Sequence, residues 1–329
     1  MTPSSELARI LTAALDRRSA LLAAADTNVI RLFNGVADGI AWLVVEQYGP
    51  VLVVQCHAER LTLSDDIVRE LCWQALERVG AAAVYRKQFP KDRSSLNRAL
   101  ERMHRDPQPW LGTPAPTEIE VHEAGARFLV RPYDGYATGL YLAHRSARQF
   151  VRANCAGRRV LNTFAYTCGF TVAAALGGAA STVSVDISKK SLEWGKRNLA
   201  ANGLALDAHQ FICSDVFEYY RRALRQGRRF DWIILDPPTF ARPRRARGTF
   251  AVATDLPRLV GGALDLLDRG GTLLLSVNYR GLTATRLERV AMTASRANHR
   301  ACEFLPPPPI PEDFRGDPDF AKTIVVRVR

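Results

Sequence analysis

From residue 160 onward, short apolar runs alternate with stretches of helical period. Val160–Phe164, Thr182–Val185, Gln210–Cys213, Trp232–Leu235 and Thr272–Val277 read as strands, and Thr171–Leu176, Lys189–Asn202, Val216–Gln226 and Leu256–Leu267 as the helices between them. Strands this short and apolar, each followed by a helix, predict an α/β fold whose mostly parallel sheet carries helices on both faces. The pattern continues with a helix over Glu288–Asn298, a strand near Ala301–Phe304, a proline-rich loop and a last strand over Thr323–Val328.

Before residue 116 the pattern differs. Leu7, Ile10, Leu11, Ala14, Leu15, Leu21 and Leu22 lay an apolar stripe along one helix spanning residues 6–26. Val29–Val84 then turns to strands with one helix: Ile40–Val45 and Val51–Gln55 form a hairpin around Gln47-Tyr48-Gly49-Pro50, and Asp66–Val79 is amphipathic. Four prolines in Asp106–Pro116 mark a linker, after which Thr117–Val121 and Arg127–Val130 are strands and Ser146–Asn154 is a helix. Three parts are expected: an N-terminal helix over 1–27, a smaller α+β domain for RNA or substrate recognition over 28–115, and the larger α/β domain over 116–329.

Charge narrows the partners. The 329 residues include 45 Lys and Arg against 33 Asp and Glu, a formal net charge of +12, so the surface attracts polyanions, RNA first among them. Arg242, Arg244, Arg245 and Arg247 crowd into one stretch, placed to grip phosphates beside a bound base. No apolar run approaches the roughly 20 residues that span a bilayer, and Met1–Glu6 carries no export signal, so a cytoplasmic protein without membrane contact is expected. The six cysteines form no C-x-x-C pair and the six histidines show no ligand spacing, which predicts reduced thiols and no bound metal. A monomer or homodimer is expected.

Candidate chemistry gathers where strands end. Val160–Phe164 runs into Ala165-Tyr166-Thr167-Cys168-Gly169-Phe170 and then a helix, the strand-turn-helix of a nucleotide cofactor site. Only Gly169 is a glycine in that turn, and a dinucleotide needs several so that backbone N–H groups can approach its pyrophosphate, which disfavours NAD and FAD. S-adenosylmethionine carries no phosphate and asks less of the loop. Asp186 ends the second strand at about the spacing at which a carboxylate meets a ribose diol. Asp215 follows the third strand, where it can accept the adenine amino hydrogen. Asp236-Pro237-Pro238-Thr239-Phe240 follows the fourth and combines a carboxylate, a stiff turn and an aromatic face, a combination suited to holding a flat base.

These residues resemble class I S-adenosylmethionine-dependent methyltransferases, specifically the large-subunit ribosomal RNA family with its cytosine-C5 and guanine-N7 branches. The resemblance spans residues 28–329. It rests on Thr138-Gly139-Leu140-Tyr141-Leu142-Ala143-His144-Arg145, on Val160 through Gly169, on Val185-Asp186-Ile187-Ser188, on Leu192-Glu193-Trp194 with Asn198 and Asn202-Gly203, and on Asp236 through Phe240. It implies a Rossmann-like, mostly parallel seven-stranded sheet, S-adenosylmethionine as cofactor and ribosomal RNA as partner. The cofactor set it implies is Arg145, Asn162, Phe164, Tyr166, Thr167, Gly169, Asp186, Ile187, Asp215, Val216 and Asp236, with RNA contacts from Tyr141, Arg280 and the four loop arginines. Two positions depart from the family pattern: Ala143 stands where Asp is usual, and Cys168 stands at the first glycine of Thr-Gly-Gly. The N-terminal RNA-binding module of the cytosine branch is expected to be absent, which leaves RNA grip to the central domain and the Arg-rich loop.

The acceptor follows from the missing nucleophile. Cytosine C5 needs a thiolate to add at C6 first, and the cytosine branch places that cysteine just after the fifth strand. Here the segment is Ser276-Val277-Asn278-Tyr279-Arg280-Gly281, which resembles the guanine-N7 branch. Asp236, Pro237, Phe240 and Asn278 are therefore the expected catalytic set for methylating a base nitrogen, guanine N7 foremost. A small-molecule or peptide acceptor would leave the same cofactor motifs.

Overall fold

The computed structural model describes residues 3–57, 60–90, 98–241, 250–279, 281–318 and 320–329. The chain forms two compact units, Met1–Arg145 with Ile310–Pro318, and Ser146–Pro309 with Asp319–Arg329.

The first unit is built on β1 (Val29–Asn34), β2 (Leu43–Tyr48), β3 (Val51–Cys56), β4 (Ala83–Gln88) and β5 (Leu111–Gly112), which lie side by side in that order. β2 and β3 pair antiparallel across the expected turn, and β3 and β4 pair parallel because α3 (Asp65–Val79) crosses between them. Ser64 caps α3 at its start, and Gly80 closes it with φ +65°. The expected linker contributes β5, where only glycine fits at 112: a Cβ there would stand 2.0 Å from the Ala82 carbonyl oxygen. The N-terminal helix is two pieces, α1 (Pro3–Asp16) and α2 (Ser19–Leu22), because Arg18 is drawn inward onto Asp38 and the Ala14 carbonyl. Leu7, Leu11, Ala14 and Leu15 of α1 are buried in the same core as Leu32, Phe33, Val54 and Leu71.

This unit extends past the boundary expected near Pro116. The hairpin of β6 (Ile119–Glu123) and β7 (Ala126–Val130) is tied to it by the Asn28 side chain, which accepts from the His122 N–H at 2.7 Å, and by Thr27 Oγ1, which accepts from the Ala124 N–H. Ile310–Pro318, which overlaps the expected proline-rich loop, also returns here. Asp313 and Phe314 are buried, the Asp313 carboxylate accepts from the Arg31 N–H, and the Arg31 guanidinium lies 4.0 Å from the Phe314 ring centre. A boundary set by proline content misses hydrogen bonds made this far along the chain.

The second unit is a seven-stranded sheet in the order β10-β9-β8-β11-β14-β16-β15. Its strands are β8 (Arg159–Thr163), β9 (Ser181–Asp186), β10 (His209–Cys213), β11 (Phe230–Leu235), β14 (Leu267–Val277), β15 (Cys302–Leu305) and β16 (Lys322–Val328). The first five pair parallel and β16 is antiparallel to both neighbours. Helices α6 (Gly169–Leu176), α7 (Lys189–Ala201), α8 (Val216–Arg225), α9 (Val252–Leu266) and α10 (Ala284–Ala297) connect them, preceded by α5 (Arg145–Asn154). Leu161, Ile233, Leu235, Leu273 and Leu275 bury one sheet face with α8, α9 and α10, and Val160, Trp232, Ile234 and Leu274 bury the other with α5 and α6. Strand order reverses between β8 and β11, and the cleft beyond the carboxyl ends of such strands is where open α/β sheets hold ligands. Among the described residues, no helix is long and apolar enough to cross a membrane, and no cluster of His, Cys, Asp and Glu could hold a metal ion.

Candidate active site

The turn after β8 is shaped by its backbone. Phe164, Tyr166 and Cys168 all take left-handed φ values, +54°, +48° and +62°, which residues with side chains seldom adopt outside functional turns. Four contacts hold it. The Ala165 N–H donates to the Val185 carbonyl at 3.0 Å, the Tyr166 N–H to Asp186 Oδ2 at 2.9 Å, the Cys168 N–H to the Ala165 carbonyl, and Asn198 Nδ2 to the Thr167 carbonyl at 2.8 Å.

Asp186 ends β9 and is the centre of this arrangement. Its second oxygen accepts from the Ser188 N–H at 2.8 Å, and Ser188 in turn caps α7. Burial raises the carboxyl pKa above its usual value, opposed by those backbone donors. A carboxylate offers about four lone-pair sites, more than the Tyr166, Ile187 and Ser188 N–H groups use, so a diol could still be bound. Ile187, next in sequence, is 49% exposed, an apolar face beside a carboxylate. Asp215 uses Oδ1 for both capping bonds to the Phe217 and Glu218 N–H groups of α8, which leaves Oδ2 for another donor.

Other expected cofactor residues lie beneath this surface. Asn162 is buried and donates to Thr171 Oγ1 at 2.9 Å, so it braces the start of α6. Thr167 and Val216 are buried as well. Arg145 is placed otherwise: it closes the first unit, where its guanidinium meets Asp313 at 2.7 Å, Glu123 at 3.5 Å and the Val29 carbonyl. A basic residue within a recognisable motif looked like a ligand contact because the acids that neutralise it are 22 and 168 residues away.

Asp236 and the buried Pro237 follow β11, the central strand, and Asn278 follows its neighbour β14. The Thr239 hydroxyl donates to the Asn278 carbonyl at 2.8 Å, which joins the two loops directly. Phe240 and Ala241 pair with Phe250 and Ala251 as a short antiparallel ribbon. Arg242, Arg244, Arg245, Arg247 and Arg280 lie outside the described residues. Tyr141 belongs to the first unit and is exposed. Thr239 and Asn198 were not among the expected site residues, although an asparagine on the sheet-facing side of α7 was a readable signal, since a buried amide needs a partner.

Comparison with known proteins agrees with this geometry. Residues 98–321 match the S-adenosylmethionine-dependent methyltransferase family. The chain is 33% identical over 315 residues to ribosomal RNA large subunit methyltransferase I of Erwinia tasmaniensis, covering 94% of this chain and 74% of that one. It is 37% identical over 199 residues to ribosomal RNA large subunit methyltransferase K of Neisseria meningitidis, covering 60% of this chain and 54% of the relative, about half its length. Among solved structures, SMU.776, a candidate methyltransferase complexed with SAH, superposes with a TM-score of 0.87 at 26% identity, over 100% of this chain and 82% of that one. The donor set suits such a cofactor: carboxylates at 186 and 215, an apolar face at 187, and a turn that offers no glycine-rich phosphate cradle.

Proposed function

This chain belongs to the S-adenosylmethionine-dependent methyltransferases, in the group that includes ribosomal RNA large subunit enzymes, and from that premise we propose that it methylates a base nitrogen of large-subunit ribosomal RNA in the cytoplasm, with guanine N7 as acceptor. When bound, S-adenosylmethionine supplies an electrophilic methyl group. Asp186 and Asp215 hold the adenosine through its hydroxyl and amino hydrogens, while Asp236 and Asn278 hold the edge of the base. Guanine N7 offers an in-plane lone pair and has no proton to lose, so the residues need only align the acceptor and keep water out.

The observation that carries this reading is that, among the described residues, no cysteine lies in the loops that follow β11 and β14. Cys56, Cys72, Cys155 and Cys168 are buried, and burial pushes all four thiols up, Cys56 to about 11 and Cys155 and Cys168 to about 12. Cys213 ends β10 and Cys302 begins β15, the two edge strands, whereas the Asp236 turn follows the central strand. A cytosine-C5 mechanism has no nucleophile there.

RNA is favoured by where the charge lies. Residues 1–145 carry 17 Lys and Arg against 17 Asp and Glu, whereas residues 146–329 carry 28 against 16. The whole surplus sits in the part of the chain with the candidate site. The test is nucleoside mass spectrometry after incubating protein, S-adenosylmethionine and large-subunit RNA. 7-Methylguanosine is expected, with transfer falling steeply between roughly 50 and 200 mM salt. Formation of 5-methylcytidine would overturn the acceptor, and transfer indifferent to salt would overturn the polyanion.

A further inference from the structure

Cys168 stands at a left-handed position, φ +62°, with its side chain buried. Glycine is the residue that takes this conformation without steric cost, so a side chain here needs a reason to be tolerated. The reason is visible on α7. A Cβ placed at Gly195 would stand 2.3 Å from Cys168 Sγ, 2.7 Å from Cys168 Cβ and 3.4 Å from the Thr167 carbonyl carbon. Gly195 is therefore a notch, and the Cys168 side chain fills it.

We propose that Cys168 and Gly195 form one steric unit that sets the cofactor turn, which makes Cys168 a positioning residue for S-adenosylmethionine binding and Gly195 the vacancy that admits it. Rotating the thiol cannot relieve a methyl group at 195, because the closer problem for the backbone is the 2.7 Å approach to Cys168 Cβ, which moves only with the main chain. The segment that would shift is short and fully engaged. Tyr166, two residues earlier, donates its N–H to Asp186, and Thr167 gives its carbonyl to Asn198, three residues after Gly195 on the same helix. Displacing the turn from α7 thus loosens the hydrogen bond that orients the Asp186 carboxylate. The thiol's main contribution is its volume: it is fully buried, donates a long 3.8 Å contact to the Tyr166 carbonyl and lies by the Ser184 and Thr171 hydroxyls.

Volume complementarity predicts rescue. Gly195→Ala alone should weaken binding of S-adenosylmethionine about tenfold by calorimetry, because contacting residues couple strongly. Cys168→Gly alone accepts the left-handed φ but empties the notch, and a modest loss of two- to threefold is expected. The double variant returns one carbon to the vacated space from the other side, and its affinity should recover to within about threefold of the parent. The calorimetric stoichiometry should stay near one throughout, whereas a general loss of folded protein would lower that stoichiometry and leave the dissociation constant unchanged. Wild-type affinity in Gly195→Ala overturns the proposal. If Gly195→Ala proves insoluble, the double variant decides: failure of it to fold and bind the cofactor overturns the proposal equally. Cofactor binding is read without RNA, so the outcome is separate from the identity of the acceptor.

Discussion

The two units use charge in opposite ways. The first buries it: Arg18, Asp38, Glu46, Lys87, Glu123, Arg145 and Asp313 are all buried, most of them paired, and Arg18 and Arg145 reach Asp38 and Asp313 at 2.6 and 2.7 Å. Among the described residues, the second unit buries only Arg148 of its charged side chains and keeps Asp186, Asp215 and Asp236 partly exposed at strand ends. Buried pairs fix which segments lie together, since a misplaced partner leaves an uncompensated charge in a dry interior. Carboxylates at strand ends keep contact with solvent. Charge specifies packing in one unit and stays accessible in the other.

The contrast is broken most severely at Asp313. Asp313→Ala removes the nearer of the two acids that face Arg145 and the acceptor of the Arg31 N–H, and should cost about 3–5 kcal/mol in urea unfolding, with little change in cofactor affinity for the fraction that remains folded. Equal losses in stability and cofactor binding would erase the distinction between the units.

Lys87 sharpens it through pH. Burial lowers its amine to about 8, against the pull of Glu46 and Asp134. Between that value and the ordinary lysine value the unfolded chain binds more protons than the folded one, so this group's contribution to stability rises with pH across that window and is flat on either side. Thiols and phenols with raised values act in the opposite direction, so the comparison must be with Lys87→Met. The stability of the wild type relative to that variant should rise by on the order of 3 kcal/mol between pH 7 and 11. A constant difference across that range would remove Lys87 from the buried set.

Asp186→Asn tests the second unit. An amide has one carbonyl oxygen, so it cannot accept from both the Tyr166 and Ser188 N–H groups as the carboxylate does. Loss of one charge-assisted hydrogen bond, together with the diol acceptor, should weaken S-adenosylmethionine binding about 100-fold, with a smaller effect on stability than that of Asp313→Ala. Because the wild-type carboxyl is raised by burial, its affinity for the cofactor should also decline on acidification sooner than an exposed carboxylate would require.

The sequence by itself determined the elements and the ends of the site. Period-2 and period-3.6 apolar spacing is a local property, so β8, β9, β10, β11 and β14 and α6 through α9 lie within a few residues of where hydrophobicity places them. The carboxylates at 186, 215 and 236 were legible for the same reason, each being the polar residue that ends an apolar run. Tertiary structure alone decided what depends on distant partners. The order β10-β9-β8-β11-β14-β16-β15 comes from pairing between strands as far apart as Val160 and Trp232, 72 residues along the chain. Arg145 became a packing residue because Asp313 and Glu123 meet it, Arg18 broke the first helix because Asp38 waits for it, and Cys168 could replace a glycine because Gly195 leaves it room. Short-range pattern records which face of an element is apolar. It carries no record of which residue, brought back across most of the chain, will neutralise a charge or vacate a volume there.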